Sequence, residues 1–307
     1  FLKLERNVLE GLDGQKQPFC SNDACFPQGV GQEGISGFSF AYEEEKDRAP
    51  KGQEGGGDHL LVFKEVDKDG FQSARVQLID AESHGWRARP VARLAAVFLE
   101  TARSRGVKDP LSLLDEFLCE LKVKDNEIAL LDARLVEDRD SSDEGFQLQV
   151  ETCGDVCAFW VEEDRGVFKL RIISTDPVKS EEDSEQSFSF FSSERLEEHA
   201  ELTPFGNLHS TWERTNEGHH PQSFSFQKGS SLFVASDGLL DAVRNDREGG
   251  RVLAQDFFAI WKKIQEDYTG KSKQEVEQAL IDELYQCVKD GGKYSREDDT
   301  LLYRIQL

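Results

Sequence analysis

Four acidic motifs sit where apolar, strand-like runs of the chain stop: Gly56-Gly57-Asp58, Ile79-Asp80-Ala81-Glu82-Ser83-His84-Gly85, Ser236-Asp237-Gly238 and Asp298-Asp299-Thr300. Hard divalent cations such as Mg²⁺ and Mn²⁺ select oxygen donors, chiefly carboxylates and backbone carbonyls, with water completing the shell. A dinuclear centre needs several carboxylates in one place, and the strand ends of a rigid sheet can supply them from distant points of a sequence. Glycine beside an acid lets the backbone come close to an ion or a phosphate. Each motif alone has an ordinary reading, since Asp-Gly is turn chemistry and paired acids before a strand deter edge pairing. The four together point to a metal site.

Other chemistries fit less well. The six cysteines, at 20, 25, 119, 153, 157 and 287, lack the paired spacing of a zinc ribbon and read as buried or idle thiols. There is no Gly-x-Ser-x-Gly elbow, and neither Cys153 nor Cys157 has a His beside it in the chain. His219-His220 reads as a solvated loop. His84, four residues beyond Asp80, is a candidate general acid, with helix capping or packing as its plainer reading. Glu82 is a candidate for an outer-shell role.

The elements that must position these acids follow from periodicity. Alternation at Phe38, Phe40 and Tyr42, the run Leu60–Phe63, and Ala74–Ile79 after an Asp67-Lys68-Asp69-Gly70 turn predict strands, the last two forming a hairpin that ends on Asp80. Apolar stripes over Ala88–Arg105 and Pro110–Leu121 predict two helices behind it. Strands resume at Ile128–Val136, Phe146–Thr152, Ala158–Val161 and Phe168–Ile173. Phe224–Phe226 and Leu232–Ala235 read as a strand pair around Gly229, followed by helices over Val252–Gln265 and Gln274–Val288 and a closing strand Leu301–Ile305. Mixed sheets flanked by helices are the economical architecture. Residues 1–35, a short amphipathic helix and a Gly-rich stretch, are set apart from a domain over 36–307, and the acidic, Ser/Phe-alternating segment 179–194 reads as a mobile loop.

Composition narrows the function. With 37 Lys and Arg against 60 Asp and Glu, the 307-residue chain carries a formal charge of −23, which excludes a basic nucleic-acid footprint. No window approaches the roughly 18 unbroken apolar residues of a membrane span. Nothing at the start has the form of a secretory leader, and the thiols fit a reducing, cytoplasmic setting.

The order of these motifs also carries a resemblance. A GGD block, a strand into DAESHG with a helix behind it, LFVASDGLLDA after a Lys-Gly-Ser turn, and a terminal DDTLLYRI together resemble the SpoIIE/RsbU-type serine phosphatase domain, the bacterial branch of the metal-dependent protein phosphatase (protein phosphatase 2C) superfamily, over roughly residues 36–307. The resemblance implies an α-β-β-α sandwich, two stacked and mainly antiparallel sheets flanked by helices, with two Mn²⁺ or Mg²⁺ ions in a cleft at one end. Carried over by position, Asp58 would ligate one metal, Asp80 would bridge both, Ala81 would give its carbonyl, and Asp237 and Asp298 would hold the second ion. Two such ions lower the pKa of a water held between them and neutralise charge on a phosphoryl group under attack. The implied substrate is phosphoserine or phosphothreonine on a small regulatory protein, typically an anti-sigma-factor antagonist of the STAS fold. An upstream sensory or receiver module and a homodimer are also family behaviour. A catalytically inactive, partner-binding module is the rival reading. The chain departs from the family at His59, at Ser83, and before Thr300, where an apolar residue normally follows the second Asp. That last departure makes the register of the terminal strand decide between Asp298 and Asp299.

Overall fold

Ser231–Ala235 is buried at every position and Gln72–Ala81 and Thr300–Gln306 at most of theirs, because both faces of these strands are covered, whereas Gln222–Gln227 alternates. The computed structural model describes residues 19–20, 34–40, 57–66, 70, 72–81, 89–121, 128–137, 145–153, 156–164, 167–174, 189–192, 222–242, 253–290 and 299–306. Its strands are β1 (Phe19–Cys20), β2 (Ile35–Phe40), β3 (His59–Val66), β4 (Gln72–Ala81), β5 (Ile128–Glu137), β6 (Gly145–Cys153), β7 (Cys157–Asp164), β8 (Val167–Ser174), β9 (Ser189–Ser192), β10 (Gln222–Gln227), β11 (Ser231–Ala235) and β12 (Thr300–Gln306). The helices are α1 (Arg89–Ser104), α2 (Pro110–Leu121), α3 (Asp237–Ala242), α4 (Leu253–Asp267) and α5 (Lys273–Asp290).

Two six-stranded sheets result, ordered β1-β3-β4-β5-β6-β10 and β2-β12-β11-β7-β8-β9. Every pairing is antiparallel. Their inner faces share one core, in which Leu60, Val76, Leu78 and Leu148 of the first sheet meet Trp160, Val234 and Leu301 of the second. On the outer face of the first sheet, Leu61 and Ile79 pack against Ala92, Ala95, Leu99 and Leu114 of α1 and α2. On the outer face of the second, Phe159 and Phe233 stack and pack with Trp261, Leu280 and Leu284 of α4 and α5. The architecture is therefore the α-β-β-α sandwich, with fully buried Leu and Phe side chains each contributing about 1.5–3 kcal/mol. Among the described residues no helix is long and apolar enough to cross a membrane.

Local signals account for the boundaries that matter here. Pro90 lies in the first turn of α1, where its missing N–H costs nothing. The helix closes on Gly106 at φ +71°, whose N–H donates to Arg103 O while Val107 N–H donates to Ala102 O. That is the left-handed glycine cap, which a residue with a side chain adopts only under strain.

Two expectations change. β10 and β11, read as a pair around Gly229, do not pair: β10 joins β6 in the first sheet, while β11 lies between β7 and β12 in the second. The burial explains it, since β11 is buried at all five positions and needs partners on both edges, whereas β10 exposes alternate residues and lies at a sheet edge. The turn at Gly229 thus carries the chain from one sheet to the other. Within the segment 179–194, Ser189–Ser192 forms an edge strand on β8. In the segment set apart at 1–35, Phe19–Cys20 pairs with Leu61 and Val62 of β3.

Candidate metal centre

The positions of the acids follow from strand parity. In β3 and β4 the inner-core residues are Leu60, Val62, Val76 and Leu78, while Leu61, Ile79 and Ala81 face α1 and α2. Asp80 therefore shares the inward parity of Val76 and Leu78. His59 pairs with Ile79, so Asp58, one residue before β3, stands across from Asp80. In the second sheet Val234 and Leu301 face inward while Ala235 and Leu302 face α4 and α5. Ser236 and Asp299 accordingly have inward parity at the end where β11 leaves and β12 enters.

The two sheets meet at this end. The Gly57 N–H donates to Asp299 Oδ2 at 2.5 Å, across 242 residues of sequence. Ser236 fastens the second sheet's half: its N–H donates to Leu301 O, its Oγ accepts from Leu301 N–H at 2.9 Å, and its hydroxyl lies 3.5 Å from Asp299 O. Gly238 completes the seat, because a β-carbon there would lie 2.0 Å from the Asp299 carbonyl oxygen. Only glycine lets the first turn of α3, which begins at Asp237, press against Asp299.

Asp58, Asp80 and Asp299 are 5%, 9% and 2% exposed. Burying ionised carboxylates is costly unless cations or donors compensate them. The buried oxygens Asp58 Oδ2, Asp80 Oδ2 and Asp237 Oδ1 receive no hydrogen bond in this structure. Carboxylates are the donor type that a hard divalent cation selects. Among the described residues, however, no three acidic, His or Cys side chains come close enough to hold one ion together.

The motifs named from sequence sort as follows. Asp58, Asp80, Asp237 and Asp299 come to this end of the sandwich, and Ala81 lies buried at the end of β4. Asp298 and His84 lie outside the described residues, as do Glu82 and His219-His220. The terminal register pairs Thr300 with Phe40 and Leu302 with Ala235, which gives the inward position before the strand to Asp299. Two contributors were not foreseen, the Gly57 N–H and the Ser236 hydroxyl. Their signal was present as the small residues flanking Asp58 and Asp237, but small residues at turns have many uses.

No family profile matches the chain, and no curated protein matches it. Among solved structures, the chain is similar to the RsbU and RsbW domains of Rv1364c from Mycobacterium tuberculosis, with 17% identity and a TM-score of 0.51 over 89% of this chain and 59% of that one. The chain has the fold of the SpoIIE/RsbU-type, PP2C-like phosphatase domain. It spans about three fifths of the length of that two-domain mycobacterial chain. The SiaA-PP2C domain of Pseudomonas aeruginosa is 12% identical with a TM-score of 0.44, over 90% of this chain and 85% of that one. The PP2C domain of SpoIIE with a regulatory fragment, from Bacillus subtilis, is 14% identical with a TM-score of 0.47, over 88% and 62%. In the PP2C-like fold of this chain, the acidic end described above lies between the two sheets, where β3, β4, β11 and β12 all terminate or begin.

Proposed function

We propose that this chain is a metal-dependent phosphoprotein phosphatase. Its substrate is phosphoserine or phosphothreonine on a small regulatory protein of the anti-sigma-factor-antagonist type, in the cytoplasm. The observation that carries this reading is the Gly57–Asp299 hydrogen bond, which ties the acidic end of one sheet to that of the other. The fold is consistent with phosphatase chemistry. The mycobacterial protein carries an RsbW domain together with its RsbU domain, which favours a protein substrate in a partner-switching circuit.

Asp58, Asp80 and Ala81 from the first sheet, and Asp237 with one of Asp298 and Asp299 from the second, would hold two Mn²⁺ or Mg²⁺ ions. Such ions supply an acidified water and neutralise the charge that develops on a phosphoryl group. The chain's own contribution is positional. Gly57 N–H orients Asp299, Ser236 locks the β11–β12 ends, and Gly238 brings Asp237 against them. The inward parity of Asp58 and Asp80 turns both carboxylates to the same side.

Manganese-dependent hydrolysis of p-nitrophenyl phosphate tests the reading, with Asp58→Ala and Asp237→Ala as comparisons. Turnover in the parent chain that both substitutions abolish supports it, and equal background rates in all three end it. The second reading, a phosphatase-like module that binds a signalling partner without turnover, rests on the departures from the family pattern at His59 and Ser83. Equal background rates together with binding of the phosphorylated partner would select it.

A further inference from the structure

Among the described residues, α1 and α2 cover the outer face of the first sheet only in part. Beyond the last turns of α1 lies an open cleft of about 390 Å³, with Phe63, Arg75, Arg103, Asp132, Arg134 and Glu151 among its walls. That volume is within the usual size range of small-molecule sites, roughly 300–1,000 Å³.

The strand register sets an unusual charge pattern across this cleft. Arg75 of β4 stands directly opposite Arg134 of β5, and Asp132 of β5 stands directly opposite Glu151 of β6. Like charges placed directly opposite destabilise a sheet, and here two such pairs of opposite sign adjoin. The chain offsets only their inner members. Arg103 of α1 pairs with Asp132 and, at 3.3 Å, with Glu100, and Glu100 also holds Arg75 and, at 3.0 Å, the Gln77 amide. Arg134 and Glu151 are not part of that chain of ion pairs. Buried polar capacity also remains unused beside the cleft, at Arg75 Nε and Asp132 Oδ1. Violations of local sheet rules of this kind are expected where a site is built.

We propose that this cleft binds a small zwitterion, its ammonium group lying against the Asp132–Glu151 row and its carboxylate against the Arg75–Arg134 row. The two rows are two residues apart along β5, or about 6.7 Å. An ω-amino acid or a dipeptide spans that distance, and a single charged group does not. The Phe63 ring, over which the Arg75 guanidinium lies at 4.8 Å, closes the β3 end of the arginine row. The Glu151 carboxyl of the anionic row is pushed up to about 7, first by burial and then by Asp132, with Asp109 adding to the rise and Arg103 opposing it, so its charge changes near neutral pH. Binding of an ammonium there should weaken as pH falls below about 7. The site is separate from the acidic end of the sandwich and does not rest on the phosphatase reading.

Calorimetric titration of the full 307-residue chain with 5-aminopentanoate tests the inference, with pentylamine and pentanoate as single-charge controls. The expected result is saturable binding of the zwitterion, at least tenfold weaker binding of either control, and at least a tenfold loss in Arg134→Gln and in Glu151→Gln. Both substitutions fall at exposed or half-buried positions, and circular dichroism checks that each variant is folded. Three results would overturn the site: no saturable binding, equal binding of a single-charge control, or unchanged binding in both folded variants.

Discussion

Two groups of buried acids in this chain are handled in opposite ways. Glu277 of α5, 2% exposed, has both oxygens engaged: Oε2 accepts from Ser231 Oγ at 2.6 Å, and Oε1 accepts from Ser231 N–H at 3.4 Å with Lys273 Nζ at 3.8 Å. Lys273 also donates to Ser230 Oγ, so the network pins the start of α5 to the turn between β10 and β11. Burial pushes the Glu277 carboxyl up and the Lys273 ammonium down, against their mutual attraction. At the sheet ends, by contrast, Asp58, Asp80 and Asp237 each keep a buried oxygen that takes no hydrogen bond. The Glu277 network serves the fold, whereas on the proposed function the sheet-end acids would serve an ion.

If that contrast holds, substitutions in the two groups should separate activity from stability. The largest effect is expected from Asp58→Ala or Asp237→Ala. Manganese-dependent turnover should fall roughly a thousandfold, equivalent to about 4 kcal/mol of barrier, while the melting temperature stays level or rises because like charges are thinned. A melting temperature that falls as far as activity does would place these acids with Glu277. Glu277→Ala should do the reverse. It strands Lys273 and Ser231 in a buried setting, so chemical denaturation should show a loss of about 3 kcal/mol, with turnover of the folded fraction within a few-fold of the parent.

Gly238→Ala sharpens the boundary between the two behaviours. Its β-carbon would collide with the Asp299 carbonyl, so a loss of about 1–3 kcal/mol is expected. A weakened manganese response should accompany it, measured as the metal concentration giving half-maximal rate. A smaller effect is expected at Glu151. Its folded pKa of about 7 lies above the ordinary carboxyl value of 4.5. Its contribution is therefore fully present below about pH 4.5 and lost as pH rises through 7. Glu151→Gln should stabilise the chain at pH 8 relative to pH 5 by about 1–2 kcal/mol after allowance for solvent screening, read from denaturation midpoints at both pH values. Smallest of all, Cys157 should resist iodoacetamide in the folded chain at pH 8, seen by peptide mass spectrometry, because burial raises its thiol to about 12.

Much of the fold was legible in the residues. The Leu60–Phe63 and Ala74–Ile79 runs became the β3–β4 hairpin, and the stripes at 88–105 and 110–121 became α1 and α2. Apolar period reports which face is buried, and that is a local property of the chain. The pairing of β10 with β6 was not legible, since which edge a strand joins depends on what the rest of the sheet leaves open. The outer-face cleft was hidden for a related reason. Gln77, Asp132 and Glu151 each sit at an outward strand position, where a polar residue reads as solvated, until the register aligns them.

By itself the sequence determined which residue types were available: four acidic motifs, the glycines beside some of them, and a strand that begins or ends at each. Residue chemistry and short-range period are written in the chain and need no partner to be read. The tertiary structure decided the rest. It joined Gly57 to Asp299 across 242 residues, gave Asp299 the inward position before β12, and set Arg75 opposite Arg134. Those relations depend on sheet register and on how two sheets stack, and both are fixed only when distant strands bury their apolar faces together.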